Sequence, residues 1–462
     1  MPIIKSISGI RGTLGEKSGE GLDPLLVVQY CLAYATWLKR SQPDGRINIV
    51  VGRDGRISGE VLENLVVATL RSAGVDVIQT GLSTTPTLEM AVVFAKADGG
   101  IILTASHNPA NWNALKFFDA AGEFISPEVG TQLLAMVEGN DFDVAKEDEL
   151  GTLVLDNSFM QQHVEAVLDM PVIDRKAIAD AQFTVVADAI NSTGGIILPM
   201  LFDALGVKYK ILFGDCDGKF AHNPEPLPAH LTDLTLSVKE MKADMGISVD
   251  PDVDRLALVC ENGELFGEEY TLVAAADYIL TKTKGNTVSN LSSTQALRDV
   301  TIAHGGQYYG SAVGEVNVVA KMKETNAVIG GEGNGGVIYP ALHYGRDAIA
   351  GIAMILSLMA TRKKSLSQLR SGYPAYFISK NKVELKAGTD VDAVLRTIEA
   401  QVRSEAKGIN TIDGLKVEYG HEWVHLRKSN TEPIIRIYSE SRSETEADAL
   451  AKKFVEMILR NT

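Results

Sequence analysis

Cysteine is scarce: Cys31, Cys216 and Cys260 are the only three in 462 residues. Their number is odd and their spacing wide, so neither a disulfide framework nor a cysteine-ligated metal is expected, and a reducing, cytoplasmic setting is. Long apolar runs are missing as well. The most apolar helical stretch, Gly351–Met359, is too short to span a bilayer. The opening Met1-Pro2-Ile3-Ile4-Lys5 lacks the apolar core of a secretion signal. Positive charge is in deficit, with 44 Lys and Arg against 59 Asp and Glu, a net charge of −15. That balance argues against a nucleic-acid surface, which must be basic. It leaves room for an anionic small substrate, because a cleft can be locally positive within an acidic protein.

With 45% hydrophobic and 22% charged residues, the chain has the composition of a globular protein and the length of three or four domains. Short β-branched runs alternate with amphipathic stretches of about a dozen residues, the pattern of a mainly parallel sheet with helices on both faces. Ile47–Val51, Val75–Ile78 and Gly100–Leu103 read as strands, with Ser58 as the cap of the helix after the first. The acidic segment Glu138–Glu149 reads as a linker. Phe183–Ala187, Val207–Leu212, Gly246–Val249 and Leu256–Cys260 are strands of a second unit, and Thr287–Asn290 and Ala327–Gly330 of a third. Arg346–Thr361 reads as a core helix. From about Pro374 strands run together with two helices, which predicts a smaller α+β domain. The expected division is 1–150, 151–260, 261–370 and 371–462: three mixed α/β cores and a C-terminal α+β domain.

Four loops stand out. Thr104-Ala105-Ser106-His107-Asn108-Pro109 follows an apolar strand, and Pro109 ends regular structure, so Ser106 presents a hydroxyl in a fixed direction. Asp250-Pro251-Asp252-Val253-Asp254-Arg255 puts a carboxylate at every second residue, and an extended backbone would point all three to one side. Converging carboxylates repel unless a cation lies between them, and oxygen ligands favour magnesium or calcium over zinc. An EF-hand is a poor fit, because Arg255 occupies the glycine position and a strand follows. Gly331-Glu332-Gly333-Asn334-Gly335-Gly336 matches GxGxxG formally. A dinucleotide site needs a helix next, whereas Val337-Ile338-Tyr339-Pro340 reads as a strand. Glu332 and Asn334 instead suit recognition of sugar hydroxyls. Arg427-Lys428-Ser429-Asn430-Thr431-Glu432-Pro433, with Arg436 beyond it, offers hydroxyls, main-chain N–H groups and two guanidiniums to an anion.

In this order the four loops closely resemble the α-D-phosphohexomutase family along essentially the whole chain. Thr104–Pro109 with Asn113-Ala114-Leu115-Lys116 is similar to TASHNP…NGxK, with Ala114 in place of Gly. Asp250–Arg255 resembles DGDGDR. Arg427–Arg436 matches RxSNTEPxxR, and Ser8-Gly9-Ile10-Arg11-Gly12 resembles the GIRG opening. The resemblance implies four domains around a central cleft. It implies a phosphoryl group carried on Ser106, and one Mg2+ held by Ser106, Asp250, Asp252 and Asp254. It further implies a substrate phosphate held by Arg427, Ser429, Asn430, Thr431 and Arg436. The sugar loop departs from GExSGH: Asn334 replaces Ser and Gly336 replaces His, a form that resembles an archaeal branch of phosphoglucosamine mutases.

The expected reaction is a reversible shift of a phosphoryl group between C1 and C6 of a hexose, through a hexose 1,6-bisphosphate that also serves as activator. Glucosamine 6-phosphate is the expected substrate, with phosphomannomutase/phosphoglucomutase activity as the alternative. A metal-dependent sugar phosphatase is a more distant one. Lys116 or His107 is the expected acid/base, with Arg11 and Arg255 neutralising charge. Rotation about Gly372–Pro374 would open and close the cleft. The expected partners are the hexose phosphate and, at most, a second copy of the chain in a homodimer, with no nucleic acid or membrane.

Overall fold

A computed structural model describes residues 4–6, 9–15, 17, 19–42, 45–386, 388–429 and 433–461. Asn430, Thr431 and Ser8 lie outside the described residues. The chain forms two compact units, residues 1–271 with 335–369 and residues 272–334 with 370–462.

The first unit carries two mixed sheets. The larger has seven strands, in the order Ile4–Ser6, Gly9–Thr13, Trp112–Phe118, Gly99–Leu103, Asn48–Arg53, Asp76–Leu82 and Leu153–Leu155. The strand 48–53 runs parallel to both its neighbours, and 112–118 returns antiparallel to 99–103. The strand Gly99–Leu103 is buried along its whole length. Its glycines permit this: a Cβ on Gly99 would lie 2.0 Å from the Tyr34 hydroxyl. That hydroxyl instead donates to the Phe118 carbonyl at 2.5 Å. Tyr34, Phe117, Ile101 and Leu103 then share one apolar core. Complete burial of each such side chain stabilises by about 1.5–3 kcal/mol.

The second sheet orders Leu256–Cys260, Met245–Val249, Thr184–Asp188 and Lys208–Leu212, the last three parallel and the first antiparallel. The helix Gly194–Leu205 ends at Gly206, whose left-handed φ of +67° glycine adopts without strain. Ala348–Arg362 is a helix buried on every face for its first twelve residues. It begins two residues later than the apolar pattern predicts, because Asp347 caps it by accepting from the Ile349 and Ala350 N–H groups.

In the second unit Tyr308–Ser311, Asn286–Asn290 and Ala327–Glu332 are parallel strands. The strand 308–311 and the helix Glu315–Thr325 were not legible in the sequence. The C-terminal sheet is antiparallel, in the order Phe377–Glu384, Ile434–Ser441, Trp423–Lys428, Leu415–Glu418 and Gly408–Asn410. Its core holds Ile398 of the helix Val391–Val402 and Phe454 of Glu444–Arg460.

Two local expectations are corrected. Ser58 precedes the helix Gly59–Ser72 but makes no capping bond; its hydroxyl accepts from the Asn113 amide instead. In the 138–149 segment, read as a linker, Asp141 and Asp143 both clasp Arg40. Asp250–Arg255 is a turn, not an extended stretch.

Candidate active site

The strand Gly99–Leu103 delivers the chain to Thr104, whose hydroxyl accepts from the Ser106 N–H at 2.9 Å and donates to Asp54 Oδ2 at 2.7 Å. Ser106 has a φ of +49°, the left-handed region that a residue with a Cβ enters at a cost. The loop is held there by Arg56. Its guanidinium donates to the carbonyls of Ser106 (2.5 Å), Asn108 (2.7 Å), Pro109 (2.7 Å) and Trp112 (3.0 Å), while its Nε donates to Asp54. Both side chains of this ion pair are fully buried. Arg11, on the strand Gly9–Thr13, braces the loop from another side by donating to Asn108 Oδ1 at 2.9 Å.

The Ser106 hydroxyl donates to Asp250 Oδ2 at 2.6 Å. Asp250 ends the second sheet's strand Met245–Val249, and from there the chain turns through Asp252 and Asp254. The turn, with Val253 at φ +61°, brings the three carboxylates within 4.8 Å of one another. Convergence thus comes from a left-handed residue, not from strand alternation. All three carboxylates are wholly buried.

Each is gripped from one side. Asp250 Oδ1 accepts from the N–H groups of Asp254 and Arg255. Asp252 Oδ2 accepts from Thr85 at 2.6 Å and Lys116 at 2.8 Å, and Asp254 Oδ2 accepts from Arg346 at 2.6 Å. The other oxygens of Asp252 and Asp254 are buried with no hydrogen-bond partner. Unbonded buried carboxylate oxygens are costly unless a cation answers them, so the donor set fits a magnesium-type ion.

Burial and its two carboxylate neighbours push Asp250 well above the usual carboxylate range. Burial alone would raise Asp252 too, but the Lys116 ammonium and the Thr85 hydroxyl hold it below. Lys116 is raised in turn: burial opposes its charge, and Asp252 and Asp254 outweigh that. His107 goes the other way, down to about 2, through burial and the nearby Arg255, Arg11 and Arg346. It is therefore a neutral imidazole, with Nδ1 3.4 Å from the Ser106 hydroxyl. Arg255 lies 3.9 Å from Asp250 and 3.8 Å from Asp254, close enough for attraction and too far for hydrogen bonds.

The structure brings Ser106, His107, Arg11, Lys116, Arg255 and the three Asp together in the first unit. Arg56, Thr85 and Arg346 complete the constellation, and none of them was given a role at the site from the sequence. Arg56 carried a usable signal, since it follows Asp54 by two residues directly after a strand end.

In the second unit Glu332 is the last residue of a strand. Its Oε1 accepts from Asn290 Nδ2 at 2.8 Å and the Gly314 N–H at 3.2 Å. Gly333 N–H donates to the Ser293 hydroxyl, which fixes the start of the glycine-rich loop. Arg427 and Arg436 stand directly opposite each other on adjacent antiparallel strands. Arg427 pairs with Asp413 at 2.7 Å, Arg436 is exposed, and the Ser429 N–H closes onto the Ile434 carbonyl.

Mixed sheets in three domains, an antiparallel fourth, and a serine hydroxyl laid against a carboxylate triad define a phosphohexose mutase. The chain belongs to the phosphoglucomutase/phosphomannomutase family: models of its α/β/α domains I, II and III match residues 3–144, 161–263 and 267–376, and its C-terminal domain matches 381–457. A phosphoglucomutase/phosphomannomutase of Thermococcus kodakarensis is 34% identical over 95% of this chain and 94% of its own. A probable phosphoglucosamine mutase of Methanopyrus kandleri is 33% identical over 98% and 97%. Among solved structures, a phosphoglucomutase/phosphomannomutase family protein of Burkholderia thailandensis superposes with a TM-score of 0.86 at 28% identity, covering 100% of this chain and 98% of that one.

Proposed function

We propose that the enzyme is a phosphoglucosamine mutase, interconverting glucosamine 6-phosphate and glucosamine 1-phosphate through phosphorylated Ser106. The observation that carries the chemistry is the Ser106 hydroxyl, 2.6 Å from Asp250 at the edge of the triad. Phospho-Ser106 donates its phosphoryl group to the free sugar hydroxyl as the new P–O bond forms and the Ser Oγ–P bond breaks; Lys116 gives its proton to the departing Ser Oγ and takes up the proton of the sugar hydroxyl, so none is lost. The product is the hexose 1,6-bisphosphate. After it turns over, Ser106 takes back the other phosphoryl group and the isomeric monophosphate departs. Asp250, Asp252, Asp254 and Ser106 would hold one Mg2+, which supplies neutralisation of the phosphoryl oxygens.

Lys116 is the acid/base. It rests protonated on Asp252, so its first act is to donate a proton to the leaving Ser oxygen. His107, with Nδ1 3.4 Å from that oxygen, is the alternative acid/base. Arg11 and Arg255 stabilise charge on the transferring group. Glu332 and Asn334 read sugar hydroxyls. Arg427, Ser429, Asn430, Thr431 and Arg436 hold the phosphate that is not reacting; two arginines paired in register on adjacent strands, one of them exposed, support that assignment.

The amino sugar is favoured by the sugar loop and by the name of the Methanopyrus relative. The name of the Thermococcus relative, at 34% identity against 33%, supports phosphoglucomutase/phosphomannomutase as the second reading. Comparing kcat/KM for glucosamine 6-phosphate, glucose 1-phosphate and mannose 1-phosphate, with magnesium and a trace of bisphosphate, decides between them. A preference for glucosamine 6-phosphate is expected. Better turnover of the neutral sugars establishes the second reading, and net release of inorganic phosphate would show a phosphatase. Among the described residues no helix is long and apolar enough to cross a membrane. Three cysteines without a disulfide suit the cytoplasm, where the enzyme works as a monomer or homodimer.

A further inference from the structure

Outside the carboxylate triad, the first unit gathers a second polar cluster from three distant segments. His163 comes from the helix Phe159–Leu168, and His343 and Asp347 come from the loop before the helix Ala348–Arg362. Glu89 comes from the helix Thr85–Phe94. His163, Asp347 and Glu89 are buried, and the side chain of His343 is 10% exposed. Asp347 Oδ2 lies 2.9 Å from His163 Nε2 and 3.2 Å from His343 Nε2. One ligand atom from each of these three residues falls within 4.8 Å of the other two. Donors around a tetrahedral ion with bonds of about 2.0–2.1 Å sit roughly 3.3 Å apart, close to these separations.

The outward atoms are as telling as the inward ones. His163 Nδ1 meets the Thr87 hydroxyl at 2.9 Å, and His343 Nδ1 meets Glu89 Oε2 at 3.1 Å. Asp347 Oδ1 accepts from the N–H groups of Ile349 (2.8 Å) and Ala350 (3.1 Å). Each inward-facing group is therefore oriented by a partner on its far side, and one of those partners is the carboxylate-on-histidine contact typical of metal ligands. The loop is shaped to allow it: a Cβ on residue 345 would fall 1.6 Å from Glu89 Oε2, so only Gly345 fits.

We propose that His163, His343 and Asp347 bind a divalent ion of the zinc class, with Glu89 and Thr87 orienting the two imidazoles. Mixed nitrogen and oxygen donors select such an ion over magnesium. Its role is structural. The same segments supply Arg346 to Asp254 and Thr85 to Asp252, so the ion would pin both flanks of the acidic turn.

The test uses the full-length protein, purified without chelator and dialysed with excess magnesium. Elemental analysis should find one zinc retained per chain. Cobalt substitution should give the intense visible bands of a four- or five-coordinate site with nitrogen ligands. His343→Ala and His163→Gln should lose the zinc, Glu89→Gln should weaken its binding about 10- to 100-fold, and Asp254→Asn should keep it. The proposal is overturned by a wild-type protein that retains no zinc. Loss of zinc in Asp254→Asn, or a weak octahedral cobalt spectrum, overturns it equally. The cobalt spectrum of the wild type decides the matter even where a histidine variant does not fold.

Discussion

The Asp250–Arg255 turn and the Arg427–Arg436 hairpin treat like charge in opposite ways. In the first, three carboxylates are wholly buried, and each is fixed by a donor from a different segment: Ser106, Lys116 with Thr85, and Arg346. In the second, Arg427 and Arg436 are paired in register on adjacent strands; Arg427 is answered by Asp413 at 2.7 Å, and Arg436 is left in water. One carboxylate and water answer these charges, so their repulsion is small and needs little scaffold. The buried set enjoys no such screening, so the fold must hold it in place before any ligand arrives. In the proposed function, chemistry is thus built into the core, and the grip on substrate is left to the surface.

Four changes sharpen or break that contrast. Ser106→Ala should reduce mutase turnover at least about 10^3-fold with little change in melting temperature; turnover at wild-type rates would refute the phosphoserine cycle. Arg56→Met leaves Asp54 buried without its partner and frees four loop carbonyls. It should cost about 3–5 kcal/mol in denaturant unfolding, and a loss under 1 kcal/mol would mean the loop holds itself.

On the exposed side, Arg436→Ala should raise KM about 10- to 100-fold, leave kcat within a few-fold, and leave stability unchanged or slightly higher. A fall in kcat with KM unchanged would move Arg436 from grip to chemistry. The smallest effect concerns His425, which is buried, with Nδ1 against Ser292 and Nε2–H against the Asp413 carbonyl. Burial, with Lys416 and Arg427 nearby, pushes it down to about 4. Below the unfolded value of about 6.5 the unfolded chain takes up a proton that the native state refuses, so stability falls with pH. By pH 5 the loss attributable to His425 should be about 1–2 kcal/mol. His425→Gln should show a shallower pH dependence in the same unfolding titration, and an unchanged slope would remove His425 as its source.

Much of this was legible from residue order. Apolar runs bounded by glycine and proline located most strands, and the strand at Gly336–Ile338 rightly argued against a dinucleotide loop. Tyr308–Ser311 escaped because it is short and largely polar, with no alternation to mark it. The helix Glu315–Thr325 escaped because Gly314 at its start has no side chain to signal a cap. At the site, Ser106, Lys116, Arg255 and the three Asp, which the structure brings together, were all named from the sequence. Arg56 was not, because four of its partners are main-chain carbonyls, which leave no mark in a sequence. The mode of convergence was also hidden. Alternation suggested an extended Asp250–Asp254, whereas a β-branched Val253 at φ +61° turns the chain, a conformation that only tertiary packing sustains.

The short contact between Ser106 and Asp250 ties two events into one equilibrium. In the proposed cycle, phosphorylation removes the proton that Ser106 shares with Asp250 and sets roughly two further negative charges beside three carboxylates. That form is favourable only with a cation in place, so cation and phosphoryl group must raise each other's affinity by the same factor. In enzyme equilibrated with the hexose monophosphates and bisphosphate, magnesium depletion should therefore shift Ser106 toward the unmodified serine, its phosphoryl group passing to the sugar.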